Sequence, residues 1–372
     1  MKGITLGGVI FLVLLGPVFG VVHASELSQN AFSTSGFEFK VDGQRLDGIL
    51  DTPADQKATA TIILVHGYGK TNVVEQNWFY DLRSQFASIG INTVVWDKPG
   101  CGRSEGVFDA NQPVQSSAKE VVLAVEALQA SGLAGTEKIG LWGISRAGWI
   151  APLAMAADPS IAFWISVSGT DDKENFRYLL ESNLPLEGRS KEQTLRLVNE
   201  WQARFNIAWQ GGTFEESKKA GTNLDEDPFM KYLLGDSGRP DDEVAKRTFE
   251  DYQQKFRSKE LLVDEEAELM VYVPEFKKLL SNIDRPVLAI FGEKDTIVDW
   301  RKTQTLYQET IGVNPKASLA VKTFVDANHN LQQSKTGALR EFENVTDGVP
   351  IVQGYYEAMR GWLIELGFGK EL

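Results

Sequence analysis

The sequence has little cysteine, little histidine and no excess of positive charge. Its one cysteine, Cys101, cannot close a disulfide within the chain or build a cysteine metal cluster. Of its three histidines, His23 lies in an N-terminal apolar region, which leaves His66 and His329. No ligand cluster with metal spacing can be drawn from so few donors, so neither metal nor cofactor is expected. Basic residues number 38 against 51 acidic ones, a formal net charge of −13. Such a surface repels phosphate backbones, and nucleic acid is not an expected partner. Internal repeats and low-complexity tracts are missing as well. Long apolar runs are missing too, apart from one at the N-terminus.

That run extends from Ile4 to Val22 behind the single early charge of Lys2, and Val22-His23-Ala24 offers a cleavage site before Ser25. The layout is that of a secretory signal peptide over residues 1–24. The run also approaches spanning length, so an uncleaved membrane anchor is the alternative. Either way the folded part is expected outside the cytoplasm, secreted or periplasmic.

What remains has a globular composition, 42% hydrophobic and 24% charged in a chain of 372 residues. That suits one large domain, or a core with an inserted subdomain. Phe37–Val41 alternates apolar with polar and predicts a half-buried strand, with Leu46–Leu50 as its hairpin partner. From residue 60 the runs become continuously apolar. Strands are expected at 60–65, 91–96, 138–142 and 161–167, with helices at 77–89, 116–130 and 147–157 between or after them. Alternating strands and helices predict a doubly wound, mostly parallel α/β sheet. The alternation stops over 171–281, where Leu195, Val198, Trp201, Phe205 and Trp209 recur at helical steps. An all-helical cap is expected there, with loops near Gly211-Gly212 and Gly235–Pro240. Its aromatic stripe packs the cap on the core or, alternatively, lines a pocket. The pattern resumes over 282–372, with strands at 286–291 and 319–324 and helices at 300–309 and 353–366. The two parts of the core are thus 25–170 and 282–372.

One motif carries chemistry directly. Gly143-Ile144-Ser145-Arg146-Ala147-Gly148 stands after a strand and before a helix, the setting of a nucleophile elbow. The residues two before and two after the serine must be small, and they are Gly143 and Ala147. Ser145 would then sit at a helix N-terminus, which favours developing negative charge. A serine nucleophile needs a base. His66 lies in a glycine-rich turn, whereas His329 lies in a loop beyond the last strand, where the order serine, acid, histidine puts the base. Between them, Gly292-Glu293-Lys294-Asp295-Thr296-Ile297-Val298-Asp299 offers three carboxylates. Asp295, just past the strand end, is preferred; Asp299 is the rival and can instead cap the next helix; Glu293 is expected in solvent. Cys101 has no strand-to-helix elbow and is not expected to act as a nucleophile.

With Ser145, Asp295 and His329 in this order, the mature chain resembles the α/β-hydrolase superfamily over nearly its whole length. His66-Gly67-Tyr68-Gly69, Trp96-Asp97-Lys98-Pro99-Gly100-Cys101-Gly102-Arg103-Ser104 and Phe291–Asp295 match further family motifs. Within the superfamily it is similar to capped serine hydrolases near the serine aminopeptidase and prolyl-oligopeptidase-like groups. The resemblance implies a triad of Ser145, His329 and Asp295, with oxyanion donors at the backbone N–H groups of Tyr68 and Arg146. The Arg146 side chain is expected either at the substrate or exposed at the helix start. The expected activity is hydrolysis of a small carboxylic ester, with cleavage of short peptides as the alternative. An aminopeptidase needs carboxylates near its site, for which Glu174, Asp225, Glu226 and Asp227 are candidates. A binding protein on the same fold is the alternative from another class.

Overall fold

Apolar runs without polar alternation demand cover on both faces, and they form the middle of the sheet. The computed structural model describes residues 32–173, 175–234, 242–343, 345 and 348–371. The expected signal segment 1–24, Glu174 and the expected loop 235–240 lie outside the described residues. Asp172–Pro274 forms one compact unit, and the described residues up to Asp171 and from Glu275 form the other.

The larger unit is built on a sheet of ten-residue β1 (Phe32–Val41) and β2 (Gln44–Pro53), then β3 (Ala60–Val65), β4 (Ile91–Trp96), β5 (Ile139–Ile144) and β6 (Ile161–Val167). After two strands of the other unit, β7 (Leu262–Asp264) and β8 (Leu269–Val271), the sheet is completed by β9 (Pro286–Gly292) and β10 (Ser318–Phe324). The spatial order is β1-β2-β4-β3-β5-β6-β9-β10. Pairing is antiparallel for β1 with β2 and β2 with β4, and parallel from β4 to β10. The sheet is therefore mostly parallel with flanking helices, the α/β-hydrolase architecture. Every residue of β3, β4 and β5 is buried. The closing helix Tyr355–Glu365 lays Met359, Trp362 and Leu363 on the core beside Trp142 and Phe163.

Two local expectations change. The helix expected over 77–89 runs only over Tyr80–Ala87. Asn77 and Phe79 both have positive φ, 52° and 60°, and left-handed residues break a right-handed helix. The insertion is not all helical: beside its helices it carries the antiparallel β7–β8 hairpin. The aromatic stripe of the helix Lys191–Gln210 packs within that unit. Trp201 and Phe205 are buried against Phe176 and Phe256, with ring centroids 5.6 and 5.9 Å apart, while Leu195 is exposed.

A buried ion pair ties the antiparallel edge of the sheet to the helix Tyr80–Ala87. Arg83 donates to Asp51 at 2.8 Å, and neither side chain is more than 1% exposed. Asp51 also accepts from Thr34 and Thr93. Removing one partner strands a buried charge. Arg83→Met should therefore lower unfolding free energy by about 3–5 kcal/mol in chemical denaturation; a loss below about 1 kcal/mol would contradict this role.

Candidate active site

β5 ends at Ile144 and only Ser145 and Arg146 separate it from the helix Ala147–Ala157, so the chain reverses in almost no space. Ser145 turns it with φ +58°, a conformation that costs a non-glycine residue on the order of 1–3 kcal/mol. A Cβ on Gly143 would come within 2.6 Å of the Ala147 Cβ, and one on Gly148 within 2.7 Å of the Thr170 nitrogen. The small residues are thus required by contact. The Ser145 N–H is held by Val167 O at 2.9 Å.

His329 and Asp295 come from loops beyond β10 and β9. Asp295 Oδ2 lies 2.7 Å from His329 Nδ1. The other oxygen, Oδ1, accepts from the N–H groups of Ile297 and Val298 at 2.8 and 2.9 Å. Both side chains are buried. The second imidazole nitrogen, His329 Nε2, is buried with no hydrogen-bond partner among the described residues. Asp299 is instead the N-cap of the helix Trp300–Thr310, accepting from Lys302 N. Glu293 is half-buried and accepts from Thr323 Oγ1 at 2.8 Å, so it is not simply solvated.

Ser168, which the sequence reading passed over, links these loops. It follows β6 with φ +46° and is fully buried. Its N–H donates to Ile290 O at 2.8 Å and its hydroxyl to His329 O at 2.7 Å. Since Ser145 N bonds the preceding residue, Val167, the elbow and the histidine loop hang from adjacent residues of one strand end.

The turn after β3 runs against the elbow: a Cβ on Gly67 would lie 3.5 Å from Ser145 Cβ. His66 donates from Nε2 to Trp96 O at 2.6 Å and stacks on Phe79. Burial, then the neighbouring Lys98 charge, push its pKa down to about 3, against the Trp96 bond. It is a neutral structural group rather than a base. Lys98 Nζ, also unanticipated, donates to Gly67 O and Gly69 O. The Arg146 side chain is neither exposed nor free for substrate. It is buried, donates to Ser117 Oγ at 3.1 Å and to Gln112 O, and lies 5.3 Å from the Tyr68 ring centroid.

Downstream of His329 the chain is strapped down by Glu341. Its carboxylate accepts from the Ser334 and Thr336 hydroxyls and the N–H groups of Lys335, Thr336 and Gly337, at 2.6–2.9 Å. Lys294 reaches from the Asp295 loop to Asp326 and Ser334 O. Among the described residues no group of three His, Cys, Asp or Glu side chains is placed to hold a metal ion. No described helix is long and apolar enough to cross a membrane.

Parallel sheet, strand-to-helix serine and buried Asp–His pair define the class: this is a serine hydrolase of the α/β-hydrolase fold. The family model for X-Pro dipeptidyl-peptidase (S15 family) matches residues 42–322, and the chain belongs to that family. No curated protein matches the sequence. Among solved structures it is similar to the Pyrococcus furiosus esterase Pf2001 (TM-score 0.52, 13% identity, 93% of this chain and 97% of that one). It is also similar to DcsB, solved in complex with its substrate analogue (TM-score 0.51, 17% identity, 90% and 98%). At these identities the likeness establishes the fold.

Glu341 supplies a pH test of the histidine loop. Burial works against its charge, but the hydrogen bonds from Thr336, Ser334 and Lys335 outweigh it and hold the pKa down to about 2. A depressed carboxylate stabilises the fold above its unfolded pKa, 4.5, and loses that contribution as pH falls toward 2. Glu341→Gln should be less stable than wild type at neutral pH, and the gap should close between about pH 4.5 and 2 in denaturant titrations. A gap independent of pH would contradict the assignment.

Proposed function

We propose that Ser145 is the nucleophile, His329 its base and Asp295 the residue that orients His329, in an enzyme that hydrolyses carboxylic esters. The observation that carries the reading is the 2.7 Å Asp295–His329 bond with Nε2 left open. The bond holds Nδ1 protonated, so Nε2 is the acceptor. As the Ser145 Oγ–carbon bond forms, its proton passes to Nε2. The backbone N–H groups of Tyr68 and Arg146 receive the oxyanion. The protonated imidazole then gives its proton to the leaving oxygen, the carbon–oxygen bond breaks, and an acyl-enzyme remains. Water repeats the sequence and releases the acid.

Short peptides are the second substrate reading, favoured by the family's description as an X-Pro dipeptidyl-peptidase. The ester reading is supported by the fate of the acidic candidates in the insertion. Asp225 is paired with Arg204 and Asp227 with Arg189, so neither is a spare carboxylate for a substrate amino group. Glu226 is exposed. The N-terminal run further leads us to place the enzyme outside the cytoplasm.

Ser145→Ala should keep the fold and lose nearly all hydrolysis of a small activated ester. Asp295→Asn should lower kcat by about 10⁴, through the wrong imidazole tautomer. Steady-state kinetics on the folded variants check both, and undiminished turnover in Ser145→Ala would refute the assignment.

A further inference from the structure

Lys98 takes no part in the chemistry above, yet it reaches from the turn after β4 to two carbonyl oxygens of the turn after β3. Its ammonium donates to Gly67 O at 2.6 Å and to Gly69 O at 2.8 Å. The Gly67 carbonyl is one half of the peptide group whose other half is the Tyr68 N–H. In a trans peptide the two point in opposite directions, and no peptide bond among the described residues is cis. A cation fixed on the oxygen therefore fixes the line of the N–H. It also polarises the peptide and strengthens the N–H as a donor. The mount is rigid: Lys98 N donates to Thr71 Oγ1 at 2.8 Å, and Val73 N to Asp97 Oδ1 at 2.7 Å. His66 is tied to Trp96 O, as described above.

We propose that Lys98 is a positioning residue for catalysis, whose positive charge aims and strengthens the Tyr68 N–H of the oxyanion hole. This rests on the reading of Ser145 as nucleophile and Tyr68 as oxyanion donor.

The charge is poised to titrate. Facing Lys98 are Arg146 at the start of the helix Ala147–Ala157, Glu120 on the helix Val114–Ser131, Cys101 on its own turn and neutral His66. Burial, then Arg146, push the Lys98 pKa down to about 7, while Cys101 and Glu120 act the other way. Above that pH the two bonds become neutral ones, roughly half as strong. Activity should therefore carry an alkaline limb near pH 7. Unfolding would not produce it. A lysine whose pKa is lower in the folded state makes the fold more stable as pH rises from about 7 toward 10.5.

The test is kcat and KM for p-nitrophenyl acetate from about pH 6 to about 10, on the full chain, for wild type, Ser145→Ala, Lys98→Met and Lys98→Arg. Losing one oxyanion donor typically costs about 10²–10³ in kcat, and misaiming it should cost less. Lys98→Met should lower kcat about 10- to 100-fold at pH ~7, with KM within about threefold and no alkaline limb. Lys98→Arg, permanently charged, should restore kcat and hold it flat through the alkaline range. Wild-type kcat in Lys98→Met, or Lys98→Arg as slow as Lys98→Met, overturns the proposal. If Lys98→Met does not fold, Lys98→Arg against wild type decides: a lost alkaline limb supports the proposal and a retained one overturns it. Hydrolysis that persists in Ser145→Ala overturns the reading of the site itself, and Lys98's role with it. Ser145-dependent hydrolysis that Lys98→Met leaves unchanged overturns Lys98 alone.

Discussion

Parallel pairing of β5, β6, β9 and β10 is the constraint on which the site depends. Strands that run the same way end on the same edge. Ser145, Ser168, Asp295 and His329 each lie within a few residues of such an end, although the last two stand far from Ser145 in sequence. Once the register Trp164↔Val287 and Val321↔Ala289 is set, the loops carrying them have little freedom. The close approach of β9 to the histidine loop sharpens this: a Cβ on Gly292 would fall 2.3 Å from Asn328 O.

That edge is expensive to maintain. Ser145 and Ser168 are both in left-handed backbone conformations, and each costs on the order of 1–3 kcal/mol. Strain of this kind persists only where surrounding bonds over-determine it. Here they do: Ser145 N to Val167 O, Ser168 N to Ile290 O and Ser168 Oγ to His329 O. The Glu341 strap and the Lys294 contacts hold the outer side of the same loop. The polar groups beneath the elbow are likewise spoken for, with Arg146 bonded to Ser117 and Gln112, and Glu120 to Gln112 and Trp96.

Much of this was legible in the sequence, for identifiable reasons. Strands buried on both faces leave continuous apolar runs, so 60–65, 91–96 and 161–167 read as they fold. The elbow was legible because contact between positions 143 and 147 admits only small side chains. Asp295 is preferred to Asp299 for its place just past the strand end, and the structure shows the difference: one bonds across 34 residues to His329 and the other three residues along to Lys302. Lys98, Ser168 and the burial of Arg146 were not legible, because each depends on partners distant in sequence: the turn after β3 for Lys98, β9 and the loop after β10 for Ser168, and Gln112 and Ser117 at the start of the helix Val114–Ser131 for Arg146. The hairpin in the insertion was missed because its three-residue strands are too short to show a period.

The central claim is that Ser145 is the reactive serine of a hydrolase. Treating the protein with a fluorophosphonate and mapping the adduct by peptide mass spectrometry tests it most directly. The account predicts one stoichiometric adduct, on Ser145, which disappears when His329 is replaced by alanine. No adduct, or an adduct on another residue, would contradict it.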